Sequence, residues 1–467
     1  MEAILLRFPH LGYQIFEQLD NPSLATCKEV SESWQSYIYN EKLPWVRVII
    51  HLIRPFSSPW KKFCQKSNFN SLFQMVTVVV QHFRKWKQAI LEWKGLTNTV
   101  PLHFAAMTGN TEMIERLIQI GAKLNEIDSV QCTPLHYAAM YGHLNAYKVI
   151  VENSPIRNPE SGYMTPFHMA AKHGHLSICE LIIDNVDDKN PKNVDDETPL
   201  HYAAQGGFLE ICRLIIDKVI DKNPADESGN TPLHHAAMSG KLAVFKLIFN
   251  NIEDKSPRNN AGITPLLIAA KCGKLAIFQF IFDNIEDKNP RDNNGCTLLH
   301  YAAESKSGYL AMFKLIFNSM QEKNPHSNNG ATPLHIAAAC DNLKIFQFIF
   351  VNVGWKTPRN NDGYTPLHYA AENGCLSICQ FIIKNVVDKN PSNDNRGITP
   401  LHLAAFNGHY DACRLITEKI EVKNPRDASG RTPLAMATSQ GHLKICKLYQ
   451  WYFECQLNNL HINHHNH

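Results

Sequence analysis

Nine histidines return along this chain at nearly even spacing: His103, His136, His168, His201, His234, His300, His335, His368 and His402. Imidazole is the side chain best suited to proton transfer near neutral pH and to binding transition metals. Cys375 and Cys379, four residues apart, and the tail His461-Ile-Asn-His-His-Asn-His467 add further possible metal ligands. Their arrangement argues against such chemistry. A reacting group is needed once, whereas a residue that returns at a fixed period belongs to a scaffold. The series also breaks, with Leu267 and Ala435 in the histidine position of two units. The cysteine pair fits no zinc-finger framework, and the tail could hold metal only weakly. No phosphate-binding glycine loop, nucleophile elbow or zinc-protease motif is present. The reading is a non-catalytic chain with no cofactor and no resident metal.

Each recurring histidine closes a tetrad, as in Thr133-Pro-Leu-His136, Thr198-Pro-Leu-His201 and Thr365-Pro-Leu-His368. Eleven such tetrads follow one another from residue 100, at intervals of 32–35 residues. That period marks a solenoid built of identical supersecondary units. Within a unit, Thr is a helix N-cap and Pro fits the first helical position, where no amide partner exists. An Ala-Ala pair such as Ala203-Ala204 allows close helix approach, and a glycine such as Gly142, Gly174 or Gly207 ends a short first helix. A second helix follows, with apolar residues at helical spacing (Leu176, Ile178, Cys179, Leu181, Ile182). Polar turns such as Arg291-Asp-Asn-Asn-Gly295 close the unit.

These residues resemble the ankyrin repeat, whose signature is Thr-Pro-Leu-His-x-Ala-Ala-x-x-Gly. The resemblance covers about residues 96–457 and implies an all-α ankyrin-repeat solenoid of about eleven helix-turn-helix units with short hairpin loops. It also implies that the histidine ties neighbouring turns together by hydrogen bonds. Two departures stand out. The second helix lacks its usual terminal glycine and has Val186, Val219, Ile252, Ile285 or Val386 there, so that helix is expected to run on slightly. The loop beyond it carries a motif of its own, Asp-Lys-Asn-Pro, at 188–191, 221–224, 287–290 and 388–391.

Residues 1–46 have a different pattern. Phe8-Pro9, Ile15-Phe16-Glu-Gln-Leu19, Leu24, Val30-Ser31 and Trp34 resemble the F-box, with Phe8 in place of the usual Leu. The resemblance implies docking on an Skp-type adaptor, and through it a cullin, by Phe8, Pro9, Ile15, Leu19, Leu24, Val30 and Trp34. Residues 47–95 form a basic helical linker and cap, since the end of a solenoid would otherwise expose an apolar face. Residues 46–98 hold nine Lys or Arg and one acid, in a chain of net charge +3. This is read as a solvated helix face rather than a nucleic-acid site. Residues 458–467 are expected to be a disordered His-rich tail.

The composition, 44% apolar and 19% charged, is that of a folded protein. One second-helix position holds Cys179, Cys212, Cys379, Cys413 and Cys446, and elsewhere Phe or Tyr. A site that accepts either is apolar and buried. The thirteen cysteines are therefore expected to be reduced, and the chain cytoplasmic or nuclear. No signal peptide is visible, and the most apolar run, Met75–Val80, is too short to cross a bilayer.

The expected function is protein binding, as the substrate-recognition subunit of an SCF-type (Skp-cullin-F-box) ubiquitin ligase. The alternative is a non-ligase ankyrin scaffold or anchor. Ankyrin proteins bind through their hairpin tips and first helices, on the concave face. The candidate target-binding residues are thus Tyr202, Arg258, Arg291, Tyr301, Arg359, Tyr364, Tyr369 and Arg426. Tyr and Arg are favoured in binding hot spots, and the tip arginines suit an acidic target segment.

Overall fold

The computed structural model describes residues 101–464, apart from short stretches at 120, 129, 155, 157, 160–163 and 306–308. The adaptor-docking residues, the linker and the lengthened turn near Ser305–Gly308 therefore lie wholly or largely outside the described residues. The described part belongs to one compact unit, residues 99–467.

Each tetrad opens a helix of seven or eight residues, from Pro101–Thr108 to Pro433–Ser439, and each is followed by a second helix. Eleven helix pairs stack in order, the last ending with Leu443–His464, which includes residues assigned from sequence to the tail. First helices pack on first helices and second on second, so neighbouring repeats share one continuous core. Leu135, Leu200, Leu233 and Leu334 of the tetrads and the Ala-Ala pairs are fully buried within it.

The histidine binds one repeat to the next. In eight tetrads the threonine amide donates to the histidine Nδ1, at 2.9–3.2 Å. An N–H can only donate, so Nδ1 is the acceptor and the proton must sit on Nε2. Nε2 then donates to the carbonyl just before the next tetrad: Met164 for His136, Glu197 for His168, Tyr364 for His335. Where histidine is replaced, the threonine hydroxyl takes up ordinary capping, accepting from the amides of Leu267 and Ala435.

The glycine after the first helix has a second role besides its left-handed backbone. At Gly142, φ is +77°, and a Cβ would lie 2.5 Å from the ring of His175. His175 crosses there to donate from Nε2 to the Met140 carbonyl. His143, His409 and His442 make the same backward bridge.

The second helices do not run on. They stop at Asn185, Lys218, Asn251, Asn284 and Asn385, and the β-branched residue that follows is extended, with φ near −107° to −120°. Branching at Cβ favours that conformation, and the loop motif supplies the cap that glycine would have given. Its aspartate accepts from the amide two residues on, as Asp188 does from Asn190. Its lysine folds back onto carbonyls at the helix end, as Lys189 does on Ile183 and Val186, and Lys323 of the related Glu322-Lys-Asn-Pro325 loop does the same on Phe317 and Met320 at 2.5 and 2.6 Å. Its asparagine accepts from the next tetrad, as Asn390 does from the Leu401 amide.

Except in the last repeat, where Cys446 is half-buried, the Cys/Phe position is buried as its composition requires: Cys179, Cys212, Cys379, Cys413, Phe245, Phe313 and Phe346 have no exposed surface. Second helices in the middle of the stack add edge-to-face phenylalanine contacts. Phe280 sits against Phe245 and Phe249, and Phe348 against Phe313 and Phe317. The cysteines of the described region are free thiols.

Candidate functional site

Backbone polarity dictates the hairpin edge of the stack, because successive tips must satisfy one another's amides and carbonyls. From Asn260 to Asn361 an asparagine ladder does this. The side-chain amides of Asn260, Asn293, Asn328 and Asn361 donate to the carbonyls of Glu227, Asn260, Asn293 and Asn328, each at 2.9 Å. Their backbone amides also donate across to the preceding tip.

The tip arginines lie on this edge. Arg258 donates to the Arg291 carbonyl at 2.5 Å, and Arg291 to those of Gly295 and His326 at 2.8 Å. Arg359 donates to Gly363 and Ser392 and pairs with Asp394 at 3.1 Å. Arg426 donates to Gly430 within its own tip. The first three guanidinium groups thus staple one hairpin to the next. Their charge is only partly solvated, with side-chain exposures of 44% at Arg291 and 36% at Arg359.

The tyrosines that follow the tetrad histidine serve the same end. Tyr202 donates to Glu197 and Tyr301 to Asp292, and only 7% of either residue is exposed. They brace the hairpins and leave little ring for a partner. Tyr369, half-buried, accepts from Asn360 at 3.2 Å, and Tyr364 is half-buried beside His368. The solvent-facing position of the first helix lies four residues after the histidine. It is occupied by Lys172, Gln205, Met238, Lys271, Glu372 and Phe406, all exposed, with Met238 at 46% and Phe406 at 45%. Sequence reasoning missed this position. Its signal is that no one residue type prevails there, with Met, Lys, Glu, Gln, Ala and Phe all present.

Acid–base or metal chemistry at the tetrads is opposed by burial. Burial lowers His136, His168, His234, His300 and His335 to about 4, and His201 and His368 to about 3. Neutral imidazoles with both nitrogens bonded to backbone have nothing left for a substrate. Burial also pushes the Cys212, Cys379 and Cys413 thiols up to about 12, away from nucleophilic use. An open groove between the last two second helices is lined by Tyr410, Arg414, Lys444, Lys447 and Trp451. No described helix is long and apolar enough to cross a membrane.

A family model of three tandem ankyrin repeats matches residues 70–160, 167–259, 240–325, 305–393 and 378–459. A fowlpox virus protein named as an ankyrin repeat protein is 36% identical over 77 residues, 16% of this chain and 50% of its own length. An Arabidopsis thaliana protein named as a candidate E3 ubiquitin-protein ligase is 42% identical over 60 residues, 12% of this chain and 13% of its own. The matches thus span half or less of these relatives.

Proposed function

This chain belongs to the ankyrin-repeat family, and on that premise we propose that its stack holds a target protein for an SCF-type ubiquitin ligase. Ankyrin stacks are protein-binding modules, and the tetrads have no group free for catalysis. The ligase assignment rests on the F-box-like pattern of residues 1–46. The name of the Arabidopsis relative supports it. Phe8, Pro9, Ile15, Leu19, Leu24, Val30 and Trp34 would hold an Skp-type adaptor and, through it, a cullin. The stack would raise the target's effective concentration beside the charged ubiquitin carrier.

One observation carries the target-binding part: Arg258, Arg291 and Arg359 are fixed in place by carbonyls of the neighbouring tip. A pre-ordered cation binds an acidic segment at a lower entropic cost than a free one. Arg426, Tyr364 and Tyr369 flank this line in the proposal, and Met238 and Phe406 supply apolar contact. Tyr202 and Tyr301 act through the hairpins they brace.

Co-purification of the full chain with an Skp-type adaptor and cullin tests the ligase assignment. Recovery of both is expected, together with its loss in the Trp34→Ala, Leu19→Ala double variant. Failure to recover them, or recovery indifferent to the double variant, leaves a non-ligase scaffold. Arg291→Gln with Arg359→Gln tests the edge. Capture of a target found with the complex should weaken at least tenfold, and unchanged capture would remove the arginines from the proposal.

A further inference from the structure

The position after the tetrad histidine is a tyrosine in four repeats, and three of those hydroxyls donate to the acid of a hairpin: Tyr137 to Asp128, Tyr202 to Glu197, Tyr301 to Asp292. At residue 235 a histidine takes that place. The imidazole is shorter, and its Nε2 stops 3.5 Å from Asp226 Oδ2. Both ring nitrogens are shut off from solvent and have no hydrogen-bond partner, although the side chain is only 11% exposed. A buried imidazole whose ring nitrogens make no hydrogen bond is costly, so its retention calls for an explanation such as an ion.

A second carboxylate faces the same point. Glu197 occupies the position just before a tetrad, which elsewhere in the described repeats is Cys, Met, Asn, Ile, Ala, Tyr or Arg. One ligand atom from each of Glu197, Asp226 and His235 lies within 4.8 Å of the other two. We propose that Glu197, Asp226 and His235 form a binding site for a divalent cation of the zinc type, clamping two adjacent repeats.

The geometry suits that ion. Bonds of about 2.0–2.1 Å in a tetrahedron place ligand atoms about 3.3–3.4 Å apart. The histidine–aspartate edge is already close to that separation. Glu197, within 4.8 Å of the other two ligand atoms, must draw in by at most about 1.4 Å on the same geometry, which rotation of a glutamate side chain supplies. Both carboxylates are steadied from behind, as ligating carboxylates usually are. Asp226 Oδ1 accepts from the Asn230 amide at 2.7 Å, and Glu197 accepts from Tyr202 and from Asn193. Three protein ligands leave the fourth position to water. A mixed nitrogen and oxygen set selects zinc over calcium or magnesium, which prefer oxygen alone. The site is independent of the ligase assignment.

Zinc ion itself is the probe, added to the full chain with His461, His464, His465 and His467 replaced by alanine, so that the tail does not compete. His235→Tyr is the informative variant, because it restores the residue other repeats use and should keep the fold, checked by circular dichroism. Equilibrium dialysis should find one fewer zinc per chain in His235→Tyr, and Glu197→Gln should weaken that site at least tenfold. Zinc should raise the Tm of the parent but not of His235→Tyr, because an ion that binds only the folded pair stabilises it. Equal stoichiometry and equal Tm shifts in parent and His235→Tyr would overturn the site.

Discussion

An imidazole that must accept from one backbone amide has only its other nitrogen left to donate, and this fixes both orientation and tautomer at each tetrad. His335 accepts from Thr332 and donates to Tyr364, across 29 residues of chain. His335→Leu keeps an apolar volume but orphans one buried amide and one carbonyl. It is expected to cost about 1–3 kcal/mol, the desolvation of an unpaired buried group, and denaturant unfolding at pH 7.5 measures it. A stability within a few tenths of the parent would mean that the Thr332 amide and the Tyr364 carbonyl find other partners, since a capping hydroxyl such as that of Thr264 accepts from the Leu267 amide and replaces neither bond. Gly142 tests the backward bridge in the same way. Alanine there meets both a left-handed backbone and the His175 ring, so Gly142→Ala should lose at least about 1 kcal/mol. A neutral or stabilising effect would show that His175 swings aside without loss.

At the scale of the helix and its loop, the period and the tetrad made the helix pairs, the buried Cys/Phe position and the scaffold role of the recurring histidines legible in advance. The end of the second helix was not legible. Its missing glycine suggested a longer helix, whereas Val186 and its equivalents turn extended at once and the lysine two or three residues beyond caps the carbonyls. A cap made by a long side chain has no short-range sequence signature, because Lys is equally at home in solvent. The internal bonding of the hairpin residues was hidden for a related reason. Tyr202 and Arg291 are the types that partners favour, and single-chain spacing does not reveal that Tyr202 also bonds within its own hairpin and Arg291 to the next one. Lys323→Met separates charge from stem in the cap. The ammonium lies 5.1 Å over the Phe317 ring besides its three carbonyl bonds. Its loss should cost about 1–2 kcal/mol, read as a lower denaturant midpoint with an unchanged slope. A midpoint equal to that of the parent would reduce the lysine to a solvated side chain.

For the stack as a whole, neighbouring repeats are joined four times over, by tetrad histidines, backward-bridging histidines, the asparagine ladder and the arginine staples. The first of these joints makes stability depend on pH. The nine tetrad histidines all have a pKa lowered from 6.5, chiefly by burial. Above 6.5 both folded and unfolded chains hold them neutral, and the full stability is present. Below 6.5 the unfolded chain takes up protons that the folded stack refuses, down to about 4 at His136, His168, His234, His300 and His335 and about 3 at His201 and His368, so stability falls as the pH drops through that window. Each histidine contributes up to about 1.4 kcal/mol per pH unit, and their contributions act together wherever the stack unfolds cooperatively. Urea midpoints at pH 7.5, 6.0 and 5.0 should therefore be nearly constant above 6.5 and then fall steeply. The dependence should be shallower in His335→Leu, by about one proton. An equal midpoint at pH 7.5 and 5.0 would mean that these imidazoles titrate alike in both states, and the inter-repeat hydrogen bonds assigned to them could not then hold in solution.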